Sequence, residues 1–328
     1  MIATSAVTDS VVVHPHDLQT GVPHRLHGAV LRELSRVDAR RALIALAKEW
    51  AGIAAAIALT EWLGYGWLYP LAVIFIGARQ AALTVIGHDA SHYRLLPNRR
   101  ANDWVGNVFL SWPMFVSVQG FRHFHGAHHR FLNADGDGNR ELWSTHTADG
   151  SFAPEWRYPK SRGALLLTLL RRGALWTGLW WMLRGIVGGF AFGMSLPERV
   201  ARAAWMIGVI ALFTWAKAWG AFFWCWVVPY CTWHVVIQYA RLICEHSNVK
   251  ADVRWGATRT TIPRLWERLL ILPRNIGFHI EHHWYPSVPF YRLAQLHARL
   301  MQDSEFAANA NISRSVLSSL AEVSMPHE

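Results

Sequence analysis

The sequence predicts an all-α integral membrane protein: about four transmembrane helices in two hairpins, interfacial helices, and a cytosolic histidine-rich cap. Three observations predict it. Hydrophobic residues make up 52% of the 328 and charged residues only 16%. Tryptophan occurs 19 times, a density suited to bilayer interfaces, where an indole buries its ring and keeps its N–H wet. The apolar residues also fall into runs near the ~20 residues with which a helix crosses hydrocarbon. Mean hydropathy is only +0.13, so a sizeable polar portion lies outside the lipid.

Residues 1–41 are polar and contain proline. They lack the basic start, apolar run and small-residue cleavage site of a secretory signal, and read as a cytosolic arm. Its His14, His16, His24 and His27 have no recurring ligand spacing and read as solvated. Residues 42–300 are expected to form the membrane domain, and 301–328 a C-terminal tail. The first apolar run, "ALIALAKEWAGIAAAIALTEWLGYGW", carries Lys48 and Glu49 near its start; the second is "WLYPLAVIFIGARQAALTVIG". The link around Gly64 to Gly66 has no Lys or Arg, which suits an external turn.

Residues 104–120, "DWVGNVFLSWPMFVSVQGF" with its neighbours, are apolar but short and include Asn107, Pro113 and Gln119; a re-entrant or interfacial piece fits better than a span. Residues 140–170 are polar and then amphipathic. In "GALWTGLWWMLRGIVGGFAFG", Arg184 sits near the middle. An arginine at the bilayer centre costs ~2.5 kcal/mol or more, so an interfacial helix is the cheaper placement. Residues 203–238 form a long apolar stretch broken at "AKAWGA", which suits a second hairpin with Lys217 and Gly220 at its turn. Residues 241–328 are again polar and basic.

The formal charge of +10 comes from basic residues dispersed between apolar segments, with no continuous stripe. That argues against nucleic-acid binding and for positive cytosolic loops, which could also dock an acidic partner. The three cysteines, Cys225, Cys231 and Cys244, lie in or beside apolar sequence, form no CxxC, and read as buried free thiols.

Three histidine groups share one logic. The first is "HDASH", His88 and His92; the second is His125, His128 and His129, with His123 upstream; the third is "HIEHH", His279, His282 and His283. Residues at i, i+3 and i+4 share a helix face, so each group presents its imidazoles together. If both hairpins cross the bilayer and 104–120 does not, all three groups emerge on one side. Imidazole suits zinc, copper, nickel and iron. These eight histidines exceed one tetrahedral site, and no HExxH string of a zinc peptidase occurs. Two redox-active irons activating dioxygen are the better inference.

In this order around two hydrophobic hairpins, His88xxxHis92, His125xxHis128His129 and His279xxHis282His283 resemble the three histidine boxes of the membrane fatty acid desaturase superfamily. "HIEHHWYPSVPFYRLAQLH" is similar to that family's third box and its following Pro-x-x-Pro segment. The resemblance covers roughly residues 42–300. It implies a non-haem diiron enzyme that uses O2 as co-substrate to introduce a double bond into a fatty acyl lipid. The two external electrons would come from a separate ferredoxin- or cytochrome-type donor docking on the basic cytosolic face. It also implies a further ligand at the helix end before the third box, a position held here by His246.

Asp89, Glu245 and Glu281 adjoin ligands and could accept an imidazole N–H; Asn275, one turn before His279, could orient a bound water or ligand. His123 is out of phase with the HxxHH face and is expected behind the ligands. "DGDGN" fails as a calcium loop, because its sixth position is Arg140 and its twelfth His146; Asp135 and Asp137 read as helix-ending groups or supports for the ligands. Tyr93 stands where many members place glycine. Trp104, Trp112, Phe115, Trp233 and Trp284 are candidate walls for an apolar substrate tunnel.

The expected location is the inner (plasma) membrane of a bacterium, with the active site cytosolic. One alternative keeps the centre but rebounds oxygen, as a hydroxylase or ketolase of a lipid or carotenoid. A remote one is a metal transporter, which would need ligands within its spans, where only His234 lies.

Overall fold

The computed structural model describes residues 26–134, 136–139, 158–159, 161–191, 193–249 and 255–325. His14, His16, His24, Asp135, Arg140 and His146 lie outside them. The described chain is mostly helical, and its only strands there are two short ones. Among the described residues, three stretches are long and apolar enough to cross a membrane: Gly28–Leu63, Tyr69–Ser91 and Trp219–His246.

The first stretch contains a short helix α1 (Gly28–Leu34) and the long α2 (Ala39–Leu63). Asp38 starts α2 by accepting the Arg41 N–H, the usual use of a short acidic side chain at a helix N-terminus. Gly64, at φ +76°, ends it in a conformation that glycine adopts without penalty. α3 (Tyr69–Ser91) then returns alongside, started by Pro70 in its first turn. Trp62 and Trp67 are 80% and 85% exposed around this turn, as interfacial tryptophans are.

The charge at Glu49 has a structural answer. Its buried carboxylate accepts from Arg79 Nη1 at 3.0 Å and from Arg274 Nε at 2.6 Å. The ion group ties α2 and α3 to the chain just before the third histidine box.

After α3, α4 (Arg99–Gly106) runs into a π-turn (Asn107–Ser111), and the chain doubles back into α5 (Val118–Arg130). Neither helical piece before the reversal is long enough to cross. The reversal buries its polar groups on each other: Asn107 accepts the Val118 N–H at 2.9 Å and donates to Gln119 at 3.0 Å.

α6 (Arg162–Arg172), α7 (Leu175–Ala191) and α8 (Leu196–Trp215) follow. α8 carries Glu198, Arg199 and Arg202 in its first two turns. After a turn with Lys217 at φ +53° comes the broken stretch Trp219–His246. It is built from α9 (Trp219–Phe222), two π-turns (Phe223–Val227 and Tyr230–His234) and α10 (Val235–His246). Pro229, between the π-turns, has no N–H to give the carbonyl five residues back. That carbonyl, of Trp224, instead accepts the Tyr69 hydroxyl at 2.6 Å, and Gln80 donates to Trp226 O at 3.0 Å.

The break sits between two glycines. A Cβ on Gly77 of α3 would stand 2.9 Å from Trp233 Cβ, and one on Gly178 of α7 only 2.0 Å from Cys231 O. α7, the helix expected at the interface, is thus packed directly against the middle of the broken span. Arg184 lies on this helix.

The remaining residues form the cap: β1 (Thr260–Thr261), α11 (Leu265–Leu270), α12 (His279–Trp284), α13 (Leu293–Leu300), α14 (Ser304–Asn309), β2 (Ile312–Ser313) and α15 (Val316–Val323). β1 and β2 pair in parallel, Thr260 with Ile312 and Thr261 with Ser313. Trp255, Ile280, Trp284, Leu296 and Phe306 form the cap's own apolar core, which also takes in Leu34 of α1.

Candidate metal centre

Each histidine is delivered by the end of a helix. His88 lies in the last turn of α3, and His92 is the residue that ends it. His125, His128 and His129 occupy the last two turns of α5, whose start is fixed by the Ser117 hydroxyl accepting the Gly120 N–H at 3.0 Å. His246 is the last residue of α10, and α12 supplies His279, His282 and His283. Arg259 holds the end of α10 in place. Buried to 2% exposure, it donates to the carbonyls of Cys244, Ser247 and Asn248 at 2.7, 3.0 and 2.8 Å, as a cation at a helix C-terminus should.

The structure brings all nine of these histidines together in two adjoining groups. His88, His92, His125, His129 and His282 form one; His128, His246, His279 and His283 form the other. Within each group the ligand-capable nitrogens lie within 4.8 Å of one another. The His129 and His283 rings, 4.4 Å apart, join the groups.

His129 Nε2 lies 3.0 Å from Nε2 of both His125 and His282. His279 Nε2 lies 2.9 Å from that of His246 and 3.1 Å from that of His283. A ring nitrogen carries either one proton or one lone pair, so it cannot bond well to two others at once. A cation resolves the crowding: ligands at about 2.1 Å from an ion and at right angles stand about 3.0 Å apart. Nε2 of His92 and of His128, and both nitrogens of His88, of which one can serve as a ligand, are buried without a hydrogen-bond partner. Such orphans are costly unless something accepts their lone pairs. The donor set fits metal ions.

Electrostatics agree. Burial, and then Arg94 and Arg122, push His92 down to about 4, keeping the ring neutral and its lone pair free. Burial and the neighbouring imidazoles push His125, His129, His279, His282 and His283 in the same direction.

The supports divide into those that touch a ring and those that place a segment. Asp137, wholly buried, stands 2.8 Å from His128 Nδ1 and accepts the backbone N–H of Asn133 and of Asn139 at 2.9 and 2.8 Å. It thereby turns His128 Nε2 toward the other rings. Gly138 lets this turn close, since a Cβ there would stand 2.2 Å from Phe124 O. Glu245 Oε2 is 3.6 Å from His279 Nε2, and the carboxylate is bonded to Arg241 at 3.0 Å.

The other expected supports act at one remove. Asp89 stands 3.7 Å from His88 Nδ1, too far for a hydrogen bond, and accepts the Phe290 N–H at 2.8 Å. Asn275 does not face the rings; it donates to Phe290 O at 3.1 Å. Both therefore grip the backbone of one residue, Phe290, just after the Pro-x-x-Pro segment, and dock the third box on the first. Glu281 points away from the ligand nitrogens, accepting Thr260 Oγ1 at 2.6 Å and meeting His297 Nδ1 at 2.5 Å. His123 is exposed and takes no part.

The comparisons with known proteins agree with this site. The family "Fatty acid desaturase" matches residues 65–313. The chain belongs to the fatty acid desaturase family. It is 30% identical to the dihydrorhizobitoxine desaturase of Bradyrhizobium elkanii, over 83% of this chain and 78% of that one. It is 24% identical to the sn-1 oleoyl-lipid 12-desaturase of Anabaena variabilis (75% and 71% covered). It is also 24% identical to an sn-1 acyl-lipid omega-3 desaturase (ferredoxin) of Synechocystis sp. (74% and 69%). The protein is accordingly a membrane enzyme of the oxidoreductase class, with histidine clusters able to hold metal.

In this desaturase a cavity of about 760 Å³ reaches the histidine groups, lined there by His88, His125, His128, His246 and His279. That volume suits a small-molecule site. None of Trp104, Trp112, Phe115, Trp233 and Trp284 lines it, contrary to expectation; the aromatic walls are Phe121, Phe124, Trp180, Trp181 and Tyr230. The expected residues are spent elsewhere: Trp284 packs in the cap core and Trp104 is 51% exposed. Tyr93 is no wall either. It takes the left-handed backbone (φ +58°) that glycine takes freely, and Arg99 and Arg122 stack on its ring at 4.9 and 3.9 Å.

Proposed function

We propose that this desaturase uses O2 and a histidine-held diiron centre to introduce a double bond into an aliphatic chain of the fatty acyl type. The observation that carries the reading is the pair of adjoining imidazole groups at one end of a cavity. Nitrogen donors alone suit iron, copper or zinc; removing hydrogen from an unactivated alkyl carbon selects the redox-active choice. His88, His92, His125, His129 and His282 would hold one iron, and His128, His246, His279 and His283 the other. When bound, the irons supply the oxidising power of O2, which takes up two substrate hydrogens, two external electrons and two protons to give two waters.

The chain's own residues do the rest. The neutral imidazoles keep their lone pairs at working pH, and Asp137 fixes which nitrogen of His128 faces the metal. Phe121, Phe124 and Trp181 line an apolar approach that fixes which carbons come to rest beside His88 and His125. Alkyl carbons offer no polar handle, so such placement supplies much of the catalysis, ~7 kcal/mol or more in favourable cases.

The same reading covers topology. α3 and Trp219–His246 both end at the histidines, so they run in the same direction, and the chain between them must return once to the far side. α8 is the helix available to do so, as a fourth span. The histidines and the basic loops would then face the cytosol. Two electrons would arrive there from a separate protein, as the name of the ferredoxin-type Synechocystis relative suggests for that enzyme. The host membrane would be a bacterial inner membrane.

Lipid profiling of an expression host tests this. Wild type should yield a product two hydrogens lighter, absent with His128→Ala. A product that persists in the variant, or one gaining oxygen with no loss of hydrogen, refutes desaturation at this centre.

A further inference from the structure

The cavity has one wall that an alkyl chain does not explain. From the metal centre into the span, α10 and the turn before it place Glu245, Arg241, Gln238 and His234 along the lining. His234 and His246 are twelve residues apart, roughly 18 Å at 1.5 Å per residue. Gln238 Oε1 accepts from Arg241 Nη1 at 3.0 Å, and Arg241 donates to Glu245 at 3.0 Å. At the inner end, His234 is only 5% exposed, and its Nδ1 has no hydrogen-bond partner. Arg184 of α7 lines the same cavity; its guanidinium stacks on Trp181 at 5.2 Å and has no hydrogen bond or ion pair among the described residues.

This wall leads away from the cytosol, so it is no route for protons between bulk water and the metal. Polar groups left unmatched at membrane depth are costly, and those that persist there face cavities and substrate paths. Among the described residues the charged side chains of the lining are Arg184, Arg241 and Glu245; Arg241 is paired with Glu245 at 3.0 Å, which leaves the Arg184 cation over. A chain that ended in methyl groups would leave Arg184 and Nδ1 of His234 unmatched among the described residues.

We infer that the cavity takes its substrate with an anionic end inside: an aliphatic carboxylate held by Arg184, with His234 and Gln238 on the same lining. An acyl ester would instead keep its polar head at the membrane surface. This rests on the cavity being where the chain meets the metal centre, and it adds that Arg184 is a specificity residue.

The test is equilibrium binding of decanoate and of methyl decanoate to the iron-loaded protein in a neutral, phosphate-free detergent. The comparison is wild type against R184Q and R184K. Micelle partitioning of each probe is common to all three proteins and cancels in the comparison. Wild type should prefer the acid over the ester at least tenfold more than R184Q does. R184K should recover part of the preference, with the iron content of all three unchanged. A preference that R184Q leaves intact, or acid and ester bound within twofold by wild type, overturns the inference. Binding needs no turnover, so a failed desaturation assay alongside an Arg184-dependent preference would sink the reaction and spare this site.

Discussion

Asp137 is the residue on which the four-histidine group most depends beyond its own imidazoles. Its carboxylate fixes the His128 ring and closes the turn after α5 with two further backbone bonds. Asp137→Asn should therefore weaken retention of one metal of the pair by ~10–100-fold, measured by chelator competition. A loss of both metals in parallel would count against two distinct sites. The imidazoles also set a pH dependence. An ordinary histidine, with a value of 6.5, takes a proton in the unfolded chain as pH falls through that point, whereas folded His92 waits until about 4. Across that window the unfolded state binds more protons, so stability present at pH 7 is lost as pH falls from 6.5 toward 4. His125, His129, His279, His282 and His283 add to it with the same sign. The melting temperature in detergent should drop steeply between these limits; a flat profile would contradict burial of neutral rings.

Among the helices, the contrast between what could and could not be read from sequence is physical. HxxxH and HxxHH put rings on one helical face by local geometry alone, so the grouping of His88, His92, His125, His128, His129, His279, His282 and His283 was legible. So was the reversal near residues 104–120, whose Asn107 and Gln119 bond each other. Periodicity shows which face of a helix is apolar but not which neighbour covers it. The tunnel walls are therefore not legible from the sequence, and the positions of Thr260, His297 and Arg259 around the cap depend on contacts distant in sequence. The polar string His234, Gln238, Arg241 and Glu245 has helical spacing and was available as a signal. Glu49 makes the same point in the middle of α2, where its charge is matched, among the described residues, by Arg79 and Arg274. Glu49→Ala leaves two cations without their carboxylate and should cost about 3–5 kcal/mol. Thermal unfolding of the purified protein checks it, and a change under 1 kcal/mol would show that the ion group is solvated.

At the scale of the whole molecule, two spans deliver histidines from the same end, and the cap closes over that end with the third box. On the proposed four-span topology the turn at Lys217 lies across the membrane from the cap. Cys225, Cys231 and Cys244 are buried, so an introduced cysteine can report the side it occupies. Lys217→Cys should react with an impermeant maleimide in intact cells, whereas Ser304→Cys, on the exposed start of α14, should react only after lysis. The direct test of the centre itself is metal analysis with X-ray absorption on the purified protein. Two irons per chain in a shell dominated by imidazole nitrogen, with iron lost in His128→Ala and in His282→Ala, is the predicted result. A single ion per chain, zinc in place of iron, or a metal content indifferent to both substitutions would contradict it.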